Sequence, residues 1–412
     1  MRQAGTNLPK VGRYNQAVVL ERIQRADGVT RQEIAQHTGL TPQSVSGIVR
    51  RLIDEGIVRE DGASREYSSG KPRTILRINA DAGRAIGLHL DPVELSCVVV
   101  DLLGQPLVTQ RVPTPAGADP TEVIAAMASL VQDVIEVADV SPDLILGLGL
   151  ASPGPLDQKD GVVVSPAQLS HWGRVPITKL LSEATGLPVT LDNDASAAAV
   201  GERWAGSGRG VPNFAYFFFG TGIGGGLVLN QQVYRGGSGN AGEFGHMSVV
   251  QDGLPCSCGN RGCLETVARP AAIVAETHRR LQAGSASSLA KRFNVHPTSV
   301  DIRAIDAAAI AGDPLAAGVL AQAADYVATA VVNVVNIIDV DLVILGGHGS
   351  RDIGQRYTDA AARAVAARVM ARTIRPVEVV LSPLGADAAV VGGAALVLHR
   401  AYSPQLSELL SD

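Results

Sequence analysis

With 412 residues the chain is longer than one ordinary hydrophobic core supports, so two or three domains are expected. Its 46 % hydrophobic and 18 % charged residues mark a globular chain, and no unbroken apolar run approaches the roughly 18 residues a bilayer span needs. The net charge of −5 divides unevenly: residues 1–80 hold 13 Lys/Arg against 8 Asp/Glu and the remainder 22 against 32, a basic head suited to a polyanion on an acidic body. Met1-Arg2-Gln3-Ala4 carries no signal-peptide pattern, so a cytoplasmic, membrane-free protein is expected.

The head is read first. Hydrophobic spacing over Arg13–Arg25 predicts a helix with Val19, Leu20 and Ile23 inward, closed by Gly28. Thr30-Arg-Gln-Glu33 is a capping box that opens a short second helix, and Gly39 ends it through a left-handed turn. Thr41-Pro42 caps a third helix running through Val45, Ile48, Val49 and Leu52 to Gly56. This is a helix-turn-helix. The polar face of the third helix offers Gln43, Ser44, Ser46, Arg50 and Arg51 to base edges and phosphates. Ile57-Val58-Arg59 and Thr74–Ile78 read as paired strands around a wing, Asp61–Arg73, that carries Arg65, Lys71 and Arg73. A packing module with a solvated charged face is the plainer alternative; caps, length and wing together favour operator DNA.

From Ala85 apolar strands alternate with glycine turns and Ala-rich helices: strands at Cys97–Leu102, Leu144–Leu150, Phe214–Phe219 and Leu342–Leu345, helices at Thr121–Ala138, Pro314–Ile338 and Asp359–Arg372. That alternation is an α/β pattern, and its glycine turns are where such folds seat ligands. Cys97, in an apolar strand, reads as a buried free thiol. Asn193-Asp194 precedes a helix and reads as an N-cap that can also present a side chain to a ligand. His246 with Cys256, Cys258 and Cys263 forms a donor set for a closed, structural tetrahedral Zn2+; an accidental cluster of surface thiols is the alternative. Glu243 and Glu265 flank that knot, and two carboxylates beside an imidazole suit the vicinal hydroxyls of a polyol.

Five motifs occur in order: Gly147-x-Gly149-x-x-x-Pro153-Gly154-Pro155, Asn193-Asp194-Ala195, Gly220-Thr-Gly222-x-Gly-Gly-Gly226, Gly242-Glu243-x-Gly-His246 and the cysteine knot ending in Glu265. With them the body, residues 81 to about 400, resembles the ROK family of repressors, open reading frames and sugar kinases. The whole chain is similar to the family's transcriptional repressors. The resemblance implies a winged helix-turn-helix domain at 1–80 and, at 81–412, a two-lobed actin-like, ribonuclease-H-like ATPase (sugar kinase) fold. The small lobe would be about 81–191 plus a C-terminal helix at about 386–402, and the large lobe about 192–385 with the zinc knot at 246–263. It further implies sugar hydroxyls on Asn193, Asp194, Glu243, His246 and Glu265, zinc on His246, Cys256, Cys258 and Cys263, a sugar or sugar-phosphate effector, and a homodimer or tetramer.

One motif departs from the family's kinases. Their first phosphate loop, Asp-x-Gly-Gly-Thr-Lys, is replaced by His89-Leu-Asp91-Pro92-Val-Glu94, which lacks the glycines and lysine, loses an amide at Pro92 and sets two carboxylates against a triphosphate. The expectation is therefore a sugar-responsive repressor and no enzyme, with Gly220–Gly226 kept as a hairpin supporting the sugar loop. A sugar kinase with a DNA-binding appendage, using Asp194 as base, is the alternative.

Overall fold

The computed structural model describes residues 8–403 apart from 27, 65–72, 118 and 167–168. The head holds α1 (Leu8–Arg25), α2 (Arg31–Thr38) and α3 (Pro42–Asp54). The capping box forms in full: the Thr30 hydroxyl accepts from the Glu33 amide, and the Glu33 carboxylate accepts from the Thr30 amide at 2.8 Å. Gly39 takes φ 69°, and Thr41 accepts from the Ser44 amide at the start of α3. Val19, Ile23, Ile34, Val45, Val49 and Leu52 bury behind these caps. Strands β1 (Val58–Ser64) and β2 (Arg73–Ile78) pair antiparallel, Ser64 opposite Arg73, so the pairing runs further toward the wing tip than expected. Arg65 and Lys71 lie outside the described residues.

The body is built on two five-stranded sheets. The first contains β3 (Arg84–Leu90), β4 (Glu94–Val100), β5 (Pro106–Pro113) and β6 (Ile145–Ser152); after a small sheet of β7 (Leu156–Asp157), β8 (Val162–Val164) and β9 (Arg174–Val175), β10 (Val189–Asn193) joins its edge. The second contains β11 (Phe214–Phe219), β12 (Ile223–Leu229), β13 (Gln232–Val233), β14 (Leu342–Gly346) and β15 (Glu378–Leu381). Counted along the chain, both sheets have the order 3-2-1-4-5, the first three strands antiparallel and the last two parallel to the first. The body is a doubled unit, as a two-lobed sugar-kinase architecture requires.

On the first sheet, α4 (Pro120–Val137) and α5 (Ile177–Thr185) cover one face. On the second, α6 (Asp194–Ala205) covers one face. The other carries α11 (Pro314–Ile338) and α12 (Gly354–Arg368), after α7 (Glu265–Ala268), α8 (Pro270–Gln282), α9 (Ala290–Val295) and α10 (Ile302–Ile310). The period-2 alternation of β11 explains the sandwich: Phe214, Tyr216 and Phe218 enter the α6 core, while Ala215, Phe217 and Phe219 enter the α11 core. Helix α11 is long and apolar enough to cross a membrane, but 61 % of its most apolar window is buried, so its hydrophobicity serves this core. Helix α12 begins and ends earlier than Asp359–Arg372: Val369 turns extended, and the Met370 amide donates to Asn336 Oδ1 at 2.9 Å instead of continuing the helix.

Between the sheets lie α6 and α13 (Ala388–Tyr402), the latter packed on β3 and β6. They meet through small residues: a Cβ on Gly392 would stand 2.1 Å from the Ala197 carbonyl oxygen, so only glycine allows this approach. Every residue of α6 from Ala195 to Trp204 is buried.

Candidate functional site

A cleft of about 760 Å³ opens between the lobes at the N-terminus of α6. Asn193, Asp194, Glu243, His246 and Glu265 all line it, joined by Asp91, Pro92, Ser165, Phe218, Thr221 and Asn240. Asn193 ends β10 and caps α6, its Oδ1 accepting from the Ala195 amide at 3.0 Å and the Ser196 amide at 3.4 Å. The cap fixes the next residue: Asp194 Oδ1 accepts from the Ala195 amide at 2.7 Å. Burial pushes the Asp194 carboxyl up to about 7; the amide pulls it back, and the Asp91 and Glu243 charges lift it further. Burial likewise raises Glu243.

A carboxyl with a raised folded pKa stabilises the fold at low pH and loses that contribution as pH rises toward the folded value. For Asp194 the window is about pH 4 to 7, at up to about 1.4 kcal/mol per pH unit. Asp194→Asn, with no proton to lose, should fall less steeply in urea unfolding free energy between pH 5 and 7. Equal slopes in both proteins would remove Asp194 as the source.

The glycine turn Gly220–Gly222 joins β11 to β12 as an antiparallel hairpin. The glycines that follow it in β12 allow close packing behind the cleft: a Cβ on Gly225 would meet the Phe244 ring at 2.1 Å, and one on Gly226 would meet the Ala195 carbonyl oxygen at 2.5 Å. The loop's glycine content therefore has a packing cause. From this turn Thr221 reaches across the cleft, its hydroxyl 3.0 and 2.9 Å from the two oxygens of Asp91, which sits between β3 and β4. His348 Nε2, beyond β14, lies 3.6 Å from Asp91 Oδ2. Asp91 thus ties the two sheets together, a role not apparent when it is read only as part of a broken phosphate loop. Glu94, the second carboxylate of that loop, faces Arg111 at 3.5 Å. Beside them His89 is buried, its Nε2 without a hydrogen-bond partner among the described residues, and burial pushes its imidazole down to about 4.

The knot forms as one cluster: donor atoms of His246, Cys256, Cys258 and Cys263 all lie within 4.8 Å of one another. A tetrahedral zinc with Zn–S near 2.3 Å and Zn–N near 2.0 Å requires S···S edges of about 3.8 Å and N···S edges of about 3.6 Å. The Cys258 and Cys263 sulfurs are 3.7 Å apart, and His246 Nδ1 lies 3.5 Å from Cys256 Sγ. The donor set fits such a metal. Bridges pairing Ser248 with Cys263 and Pro255 with Arg261 fold the loop back so that the donors converge. With Nδ1 on the metal side, His246 turns Nε2 toward Glu243, 3.9 Å away, while Glu265 Oε1 lies 3.3 Å from Cys256 Sγ. Cys97 is separate and fully buried, its thiol pushed up to about 12 by burial.

On the head, Gln43, Ser44, Ser46, Arg50 and Arg51 are exposed on α3; Ser44 is partly engaged by the cap, its hydroxyl 2.9 Å from Thr41. Arg73 opens β2. The opposite side of the head docks on the far end of α6. Glu21 of α1 accepts hydrogen bonds from Arg203 and, at 2.7 Å, from Arg25; the Arg203 and Glu21 side chains are only 6 % and 16 % exposed. Gln24 Nε2 donates to the Trp204 carbonyl at 3.1 Å, and Arg209 donates to the Gln24 carbonyl. Leu20, Ile57, Ile78, Leu102 and Tyr402 surround this joint. No local pattern announces it, because Glu21 and Arg203 are 182 positions apart.

Residues 13–66 match the MarR family model. The xylose repressor of Caldicellulosiruptor bescii is 27 % identical over 389 residues, 94 % of this chain and 96 % of that protein. The glucokinase of Thermotoga maritima is 35 % identical over 274 residues, 66 % of this chain and 84 % of the enzyme. Among solved structures, a ROK family transcriptional regulator, a homologue of the E. coli MLC protein, superposes with a TM-score of 0.79 at 27 % identity, covering 97 % of this chain and 99 % of that one. The ROK family model itself matches residues 85–400, and the chain belongs to the ROK family.

Proposed function

We propose that this protein is a sugar-responsive transcriptional repressor of carbohydrate genes, working in the cytoplasm as a homodimer or tetramer without a membrane. The carrying observation is α6: its first turn lines the interlobe cleft through Asn193 and Asp194, and its last turn holds the DNA-binding head through Arg203 and Trp204. The full-length similarity to a xylose repressor and to a ROK transcriptional regulator supports the same reading. The division is a DNA-binding domain at 1–80 and a sugar-binding domain at 81–412, its small lobe completed by α13. Asn193, Asp194, Glu243, His246 and Glu265 bind sugar hydroxyls. Zinc on His246, Cys256, Cys258 and Cys263 is structural: four protein donors leave no open position, so it fixes the loop carrying Glu243 and Glu265. Gln43, Ser44, Ser46, Arg50 and Arg51 enter the major groove, and Arg65, Lys71 and Arg73 of the wing touch phosphate or the minor groove.

Sugar between the lobes displaces α6, and the heads of a dimer leave the spacing of about 34 Å that matches successive major grooves. A coupling of about 1–3 kcal/mol, or 5- to 150-fold in operator affinity, suffices. Gel shifts against a sugar panel test this; operator affinity indifferent to every sugar would sink the sensing role. The kinase reading rests on Asp194 and on likeness to a glucokinase. Against it stands Asp91, whose carboxylate occupies Thr221 of the second glycine turn. No sugar-dependent ADP release from Mg-ATP is expected, and turnover abolished by Asp194→Asn would establish the enzyme instead.

A further inference from the structure

The cleft's charge narrows what it accepts, given the sugar-binding reading above on which this inference rests. Asp91, Asp194, Glu243 and Glu265 line it, and no Lys or Arg stands among its described lining residues. Asp91 is only 5 % exposed and is held in place, the Thr221 hydroxyl sharing its one proton between the two carboxylate oxygens and the Val93 amide donating to Oδ1 at 2.9 Å. Pro92, the next residue, has no N–H to offer an anion. The imidazole facing Asp91, His348, lines an adjacent cavity of about 340 Å³ and not the cleft. Arg235, near the cap, is committed to Asp192 at 2.6 Å. A phosphate group entering this cleft would be desolvated beside the Asp91 carboxylate with no Lys or Arg among the described lining residues to meet it, and a zinc held by three thiolates and an imidazole adds no net positive charge. A neutral polyol meets Asp194, Glu243 and Glu265 as hydrogen-bond acceptors, while the Asp91 oxygens are already engaged by Thr221 and the Val93 amide.

We propose that Asp91 is a specificity determinant that restricts this cleft to uncharged sugars and excludes their phosphate esters. It closes the side of the cleft beneath the Gly220–Gly222 turn with a carboxylate, so the residue that ties the lobes together also sets the charge rule for the effector.

The test is calorimetric titration of the zinc-loaded full chain with D-xylose, D-glucose and N-acetyl-D-glucosamine, and with the 6-phosphates of the last two. The expected result is binding of at least one free sugar, with its 6-phosphate, where one is in the panel, at least about 100-fold weaker. Asp91→Asn and Asp91→Ser should each narrow that gap by about 10-fold or more while changing free-sugar affinity far less; thermal midpoints check that both fold. A 6-phosphate binding as tightly as its free sugar overturns the inference and leaves sugar sensing standing. A gap unchanged in both folded variants removes Asp91 as its cause. Binding of neither class at tens of millimolar overturns the sugar reading and this inference with it.

Discussion

Glu21→Ala should uncouple the head from the body and abolish the sugar effect on operator affinity. Arg203 is 6 % exposed and its Nε has no hydrogen-bond partner among the described residues, so without Glu21 its guanidinium keeps, among them, the His399 ring, 3.3 Å from Nη1. Burial pushes His399 down to about 3, so that ring stays neutral and supplies no counter-charge. Removing one member of a buried pair costs about 3–5 kcal/mol, against a joint held otherwise by a few hydrogen bonds and the apolar patch around Leu20 and Trp204. Thermal unfolding should shift down, and the 5- to 150-fold modulation by sugar should collapse toward unity while the exposed α3 face still binds DNA. The double variant Glu21→Met, Arg203→Met separates stability from signalling. Apolar replacement of both partners restores much of the stability, and the joint then rests on packing alone. An undiminished sugar effect in Glu21→Ala would show that the signal leaves the cleft by another route.

Cys258→Ser carries the next largest effect. It removes one of four donors from a cluster whose edges match tetrahedral zinc, and Cys258 is the exposed member, so the change disturbs little apolar packing. Metal content should fall to a small fraction by absorption spectroscopy or a zinc chelator assay. Structural zinc contributes about 10–16 kcal/mol in small isolated knots, and even a minor share of that organises this loop. Glu265, 3.3 Å from Cys256 Sγ, and Glu243, 3.9 Å from His246, should lose their fixed positions, with sugar affinity down at least about 10-fold. Operator binding without sugar should hold, since the knot is remote from the head joint. Full sugar affinity in the metal-free variant would deny the knot any part in shaping the cleft.

Legibility in the sequence followed the range of the interaction. The caps of α2 and α3 were readable because Thr30 and Glu33 are three residues apart and Thr41 meets its own helix. The metal donors were readable because three fall within eight residues and glycine turns separate them. Strand β11 announced itself by composition, yet its pairing with β14 was not readable, since parallel partners come from distant segments. The same holds for Asp91 and Thr221, 130 positions apart, and for Glu21 with Arg203. Asp91 showed its charge and not its partner, so its loop could be recognised as broken but not as a link between lobes. The end of α12 is unreadable for a similar reason: a side chain of α11, Asn336, takes the amide that would have extended the helix.

Helix α6 has 12 residues, about 18 Å of rise, is buried from Ala195 to Trp204, and is closely approached by glycine backbone at Ala195, Ala197 and Gly201. A rod so confined behaves as a connector with two independent plugs. Its first turn meets the cleft through Asn193 and Asp194, and its last turn meets the head through Arg203 and Trp204, so either end can be rewired without rebuilding the other. A different output domain grafted at this socket would need an acid opposite Arg203 and a carbonyl and amide matching those of Gln24, and it would inherit the sugar input unchanged.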